Sequence, residues 1–227
     1  SCYNEKQLIN RKDFSITETN KINKIILQNK TPKKIILSKK NKQWEINHSF
    51  PVRKTAINLL LETVRDMQIK RPVALKEKNN VLRRMSVQRT QVDFFSNGEL
   101  IKTIFIGGNT QDQLGTYMIL KNSSEPYVLS IPGFNGYLNS RFSCEENTWK
   151  EKIIFDLNPS EIESVSINYK NNIESFKINS SNQEAINYFN SFTKIYCEKF
   201  LKNNKEFNVN KIKEREPFFT INVKLKN

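Results

Sequence analysis

Apolar residues in this chain follow two spacings, and each predicts a different element. Alternating or continuous apolar runs at 22–27, 34–37, 43–47, 92–95, 100–106, 116–120, 127–131, 162–167, 175–178 and 217–225 read as strands, because successive strand side chains point to opposite faces. Three- and four-residue steps mark helices instead. Val52, Ala56, Ile57, Leu60, Val64 and Met67 form one such stripe, with Pro51 suited to the helix start. Ala185, Ile186, Phe189, Phe192, Ile195 and Tyr196 form the other, preceded by Ser181 and Glu184 at capping-box spacing. Asn97 with Gly98 suits a two-residue hairpin turn, and Gly107 with Gly108 also reads as a hairpin turn.

The two stripes close similar units. Ile22, Ile25 and Leu27 recur as Ile162, Val165 and Ile167, and after each set come a polar turn, a second short strand and a helix. A helix laid across one face of a hairpin buries the inward side chains of both. The expected fold class is α+β, with two β-hairpin-plus-helix repeat units flanking a turn-rich antiparallel β segment. The expected division is a tether at 1–12, a basic first unit at 13–87, the central β segment at 88–157, and a second unit with a terminal strand at 158–227. A chain of 227 residues can bury such a core without disulfides or metals.

Five of the six glycines lie in residues 107–142, which read G-T-Y-M, P-Y-V, I-P-G-F-N-G-Y-L and R-F in succession. Upstream stand I-N-K-I-I-L at 22–27, W-E-I at 44–46, and Pro72 with Val73 after the first helix; downstream stands W-K-E at 149–151. Together these resemble the bacterial family catalogued as domain of unknown function 4340, in its Bacteroidota lipoprotein type. The resemblance implies no established activity. It implies a structural or accessory companion of envelope complexes, related to transport or gliding motility.

Charge adds a direction to this picture. The net charge is +14, and residues 1–90 hold 21 Lys/Arg against 7 Asp/Glu, whereas the remainder holds 16 of each. A drift of composition toward Lys, Asn and Ile yields such a surface without function; attraction to an anionic partner yields it with one. On the second reading the patch comprises Lys30, Lys33, Lys34, Lys39, Lys40 and Lys42, at the hairpin tips of the first unit, and serves anionic lipid or envelope polysaccharide. No zinc finger, helix-turn-helix or aromatic stacking platform accompanies the basic residues, so nucleic acid is not an expected partner. Tyr117, Tyr127, Phe134 and Tyr137, set among turns, are the expected protein interface, although aromatics so close to strands also serve as core.

Ser1 before Cys2 resembles the end of a bacterial lipobox. Cys2 is then the expected lipid anchor, and the expected location is the cell envelope, at the outer membrane with a periplasmic face. The expected partners are the membrane and other envelope proteins. Cys144 and Cys197 are too few for a disulfide framework. His48, the only histidine, has no evident catalytic or ligand companions, and no metal-binding spacing is present. Ser130 and Ser143 lack a nucleophile-elbow context, and the carboxylate pairs Glu145 with Glu146 and Glu161 with Glu163 read as solvated. The sequence therefore predicts no cofactor, no metal, no small-molecule substrate and no catalytic set.

Overall fold

A computed structural model describes residues 9–31, 33–171, 174–182, 184–198, 200–201 and 208–226. The chain forms two compact units, one reaching Glu151 and the other beginning at Lys152.

The first unit is built on a nine-stranded, wholly antiparallel sheet. Its elements are β1 (Lys24–Asn29), β2 (Lys34–Lys40), β3 (Gln43–Ile46), β4 (Phe50–Pro51), α1 (Lys54–Asp66), β5 (Gln68–Pro72), α2 (Leu75–Val87), β6 (Thr90–Ser96), β7 (Glu99–Asn109), β8 (Thr116–Leu120), β9 (Tyr127–Ser130) and α3 (Glu146–Trp149). The spatial order β4-β3-β2-β1-β6-β7-β8-β9-β5 explains the path. The chain meanders from β1 to one edge, α1 carries it to the opposite edge, and α2 returns it to the middle beside β1. From there β6 to β9 meander out to meet β5. Asn97 and Gly98 join β6 to β7 with φ of 50° and 88°, the pair of positive values that a tight two-residue hairpin turn demands.

Strand alternation sends each face of this sheet to a different helix. Ile104, Ile106, Met118 and Leu129 share a core with Ala56, Ile57, Leu60 and Val64 of α1. Burying the last three of these α1 side chains stabilises the packing by roughly 1.5–3 kcal/mol each. Leu138, Phe142 and Trp149, from the connection after β9, complete this core, and the Trp149 indole N–H donates to the Ser143 carbonyl at 2.9 Å. Phe105, Tyr117, Ile119 and Val128 lie on the alternate positions and pack with Val81 and Met85 of α2.

The second unit contains β10 (Ile153–Phe155), β11 (Ile162–Tyr169), β12 (Phe176–Asn179), α4 (Ala185–Phe189), β13 (Ile195–Tyr196), α5 (Val209–Glu214) and β14 (Phe219–Leu225). β11 is flanked by β12 and β14 in a three-stranded antiparallel sheet, and β10 pairs with β13. Ile162, Val165, Ala185, Phe189 and Phe192 make its core.

The architecture is thus mixed helix and strand with antiparallel sheets, and it differs in detail from the expected plan. Strands β6 to β9 of the expected central segment are continuous with β1 in one sheet, because β6 pairs with the whole length of β1, whereas β10 lies in a separate sheet with β13. The helix expected from Pro51 begins at Lys54, since Pro51 belongs to β4. The second expected helix is only five residues long, followed by a 3-10 turn. Its β-branched and aromatic Ile195 and Tyr196 pair instead with the apolar β10 strand. Gly107 and Gly108 are not a turn. They lie inside β7, where the register with β8 skips from Ile106 to Asn109.

Candidate anion-binding cleft

A hollow of about 860 Å³ in the first unit is lined by the end of α2, the β1–β2 turn and the bulged part of β7. α2 brings Arg83 and, on its last turn, Arg84, and its capping residue Gln88 donates its amide hydrogen to the Arg84 carbonyl at 2.8 Å. Arg89 follows immediately and lays its guanidinium over the Phe105 ring, 4.0 Å from the centroid. Lys30 enters from the β1–β2 turn, which is braced by the Thr31 hydroxyl donating to Asn29 Oδ1 at 2.9 Å. Gly107 and Gly108 of β7, with Tyr117 of β8, form part of the wall.

Gly107 lets α2 approach. A Cβ built there would stand 2.9 Å from Met85 Cγ and 3.1 Å from the Tyr117 carbonyl oxygen. α2 is otherwise lightly held, with Val81 and Met85 as its buried residues and Leu75 87% exposed.

The cleft is strongly positive. Lys30, Arg83, Arg84 and Arg89 line it, and among the described lining residues there is no Asp, Glu, His or Cys. None of the four cations is in an ion pair among the described residues; Arg83 donates to the neutral Asn80 Oδ1 at 3.1 Å. The C-terminal end of α2 contributes about half a negative charge through its aligned carbonyls, which four full positive charges outweigh. Such a lining can hold an anion, and it offers no group poised for proton transfer at neutral pH.

The expected site residues divide. Lys30 lines the cleft, Lys33 in the same turn pairs with Glu145, and Lys34 opens β2 with an exposed side chain. Lys39, Lys40 and Lys42 sit exposed at the other end of β2, about 20 Å away along a seven-residue strand, so the six lysines are not one cluster. Tyr117 lines the cleft, and Tyr127 is half-buried edge-on to Phe14 at 5.9 Å. Phe134 and Tyr137 are each 39% exposed and border a smaller hollow of about 450 Å³ with Leu59 and Arg141, whose guanidinium lies 4.4 Å from the Phe134 centroid. Cys2 lies outside the described residues. Cys144 and Cys197 are free thiols, the first buried. His48 is exposed in the β3–β4 turn with its Nδ1 3.4 Å from the Ser38 hydroxyl. Among the described residues no group of three His, Cys, Asp or Glu side chains could hold a metal ion, and no helix is long and apolar enough to cross a membrane.

Arg83, Arg84 and Arg89 are the site residues that sequence reasoning missed. One signal pointed to them: in a chain whose basic residues are mostly Lys, three of the nine arginines fall within 83–89. The segment carries too few apolar residues to announce a helix, so nothing marked the cleft they line together.

The family model described as "Domain of unknown function (DUF4340)" matches residues 44–215, from β3 to just past α5. No curated protein and no solved structure matches the chain. With most of its length covered by that model, the chain belongs to the DUF4340 family, whose description assigns no function.

Proposed function

We propose that this protein is a non-catalytic binding module of the bacterial cell envelope, tethered to a membrane through an acylated Cys2 and holding an anionic lipid or envelope polysaccharide in its basic first unit. The observation that carries the reading is the cleft lined by Lys30, Arg83, Arg84 and Arg89 without a facing carboxylate. An unoffset cluster of this kind raises the local concentration of anions and weakens with added salt. The test is cosedimentation with anionic vesicles and acidic polysaccharide at low and physiological salt. The double variant R84E/R89E should abolish binding, whereas K39E/K40E, at the far end of β2, should leave most of it. Equal losses in the two variants would mean diffuse surface attraction and would sink the reading. Mass spectrometry of the native N-terminus tests the tether separately, through the mass added at Cys2.

A second reading, an accessory subunit of an envelope protein complex, draws on the exposed Phe134 and Tyr137 beside Leu59 and Arg141. Aromatic and Arg side chains of this kind are enriched at protein interfaces. Crosslinking in intact cells should give one defined adduct that F134A/Y137A removes; an unchanged adduct pattern would count against this surface.

A further inference from the structure

We propose that the cleft is a phosphoryl site, in which Arg84, Arg89 and Lys30 hold a phosphate group against the bare backbone at Gly108. This rests on the anion-binding reading above and narrows it from anions in general to one chemical class.

Gly108 supplies the first observation. Its φ lies outside the left-handed region, so its backbone conformation suits any residue. A Cβ built there meets no atom within 4 Å, so packing does not require glycine either. Gly107 next to it has a structural reason in Met85, and Gly108 has none of that kind. What glycine provides at 108 is an exposed, side-chain-free length of main chain on the cleft wall, at a point where the register with β8 is interrupted. Glycine at an irregularity in a strand allows another group to approach the backbone closely.

The second observation is the kind of cation. Arg89 keeps its guanidinium carbon 4.0 Å from the Phe105 ring centroid, a contact that restrains its fork before any ligand arrives. A fork of this kind matches two oxygens of one anionic group. Two further arginines and Lys30 line the same hollow. A carboxylate, with two coplanar oxygens and one charge, uses one fork. A phosphomonoester carries about −1.5 to −2 at neutral pH and spreads three acceptor oxygens in three directions, which suits basic side chains brought separately by α2, by Arg89 just after it and by the β1–β2 turn.

The experiment uses the full chain and pairs of anions. Inorganic pyrophosphate is compared with citrate, and phosphatidylcholine vesicles containing phosphatidic acid with phosphatidylcholine vesicles containing oleic acid. Pyrophosphate and phosphatidic acid should bind at least about tenfold tighter than their carboxylate counterparts. Binding to the vesicles alone identifies a lipid headgroup as the source; binding to pyrophosphate alone identifies a free phosphate ester. Equal affinity for phosphate and carboxylate probes overturns the phosphoryl assignment and leaves the anion-binding reading standing; no binding of any of these probes overturns the assignment, and if acidic polysaccharide also fails to bind, the anion-binding reading falls with it. G108V should unfold at the wild-type midpoint and bind phosphate probes about tenfold more weakly. R89K, which keeps the charge and loses the fork, should show a similar loss and keeps the proposal testable if G108V folds poorly. Wild-type affinity in either folded variant overturns it.

Discussion

Gly107 and Cys144 show how single residues set limits that neighbours only express. Because Met85 and the Tyr117 carbonyl occupy the space where a Cβ would go, G107A should force α2 outward and destabilise the first unit by about 1–3 kcal/mol, read from the urea midpoint. The contrast with G108V, expected to be silent in the same assay, separates glycine kept for packing from glycine kept for access. Burial pushes the Cys144 thiol above its ordinary value of 9.0, and a hydrogen bond with Thr90 opposes this only in part. A raised thiol pKa means the folded state holds its proton after the unfolded chain has released it. The resulting stability is complete below pH 9.0 and is lost as pH rises from there through the folded value. The difference in stability between wild type and C144A should therefore be flat to about pH 8 and shift against wild type above it. In the native protein, iodoacetamide should label Cys144 more slowly than Cys197. The sequence showed the thiol and the glycine pair; it did not show what stands over them, because Met85 and Thr90 reach those positions only through the sheet.

Among elements, α1 and α2 have equal length and unequal anchorage. α1 buries Ala56, Ile57, Leu60, Thr63 and Val64, and its stripe was legible because those residues repeat at helical spacing. α2 buries Val81 and Met85 and leaves Val87 71% exposed, so its periodicity was too sparse to read. Amide hydrogen exchange should accordingly be faster across 75–87 than across 54–66, by local opening rather than global unfolding. M85A should widen that gap and cost about 2–5 kcal/mol. A similar contrast explains the 181–196 region. The stripe Ala185, Ile186, Phe189 is a helix, but Ile195 and Tyr196 find an apolar strand to pair with, and a partner distant in sequence overrides local spacing.

The whole molecule consists of two units with separate hydrophobic cores, and the first contains both the cleft and the aromatic hollow. A chain ending at Glu151 should fold cooperatively and bind anionic vesicles like the full protein, as measured by thermal unfolding and cosedimentation. A truncated chain that folds and no longer binds would place part of the site beyond residue 151. By itself the sequence determined the antiparallel strands, the first helix, the hairpin turn at Asn97 and Gly98, and the basic bias of the first part, because each follows from local spacing, local φ preference or composition. Tertiary structure alone decided that β5 crosses to the far edge of the sheet and that α2 comes back over it. It also decided that Arg83, Arg84 and Arg89 meet Lys30 from a turn more than fifty residues earlier. Those outcomes depend on which strand edges pair and which faces remain for a helix to cover, and no local pattern carries that information.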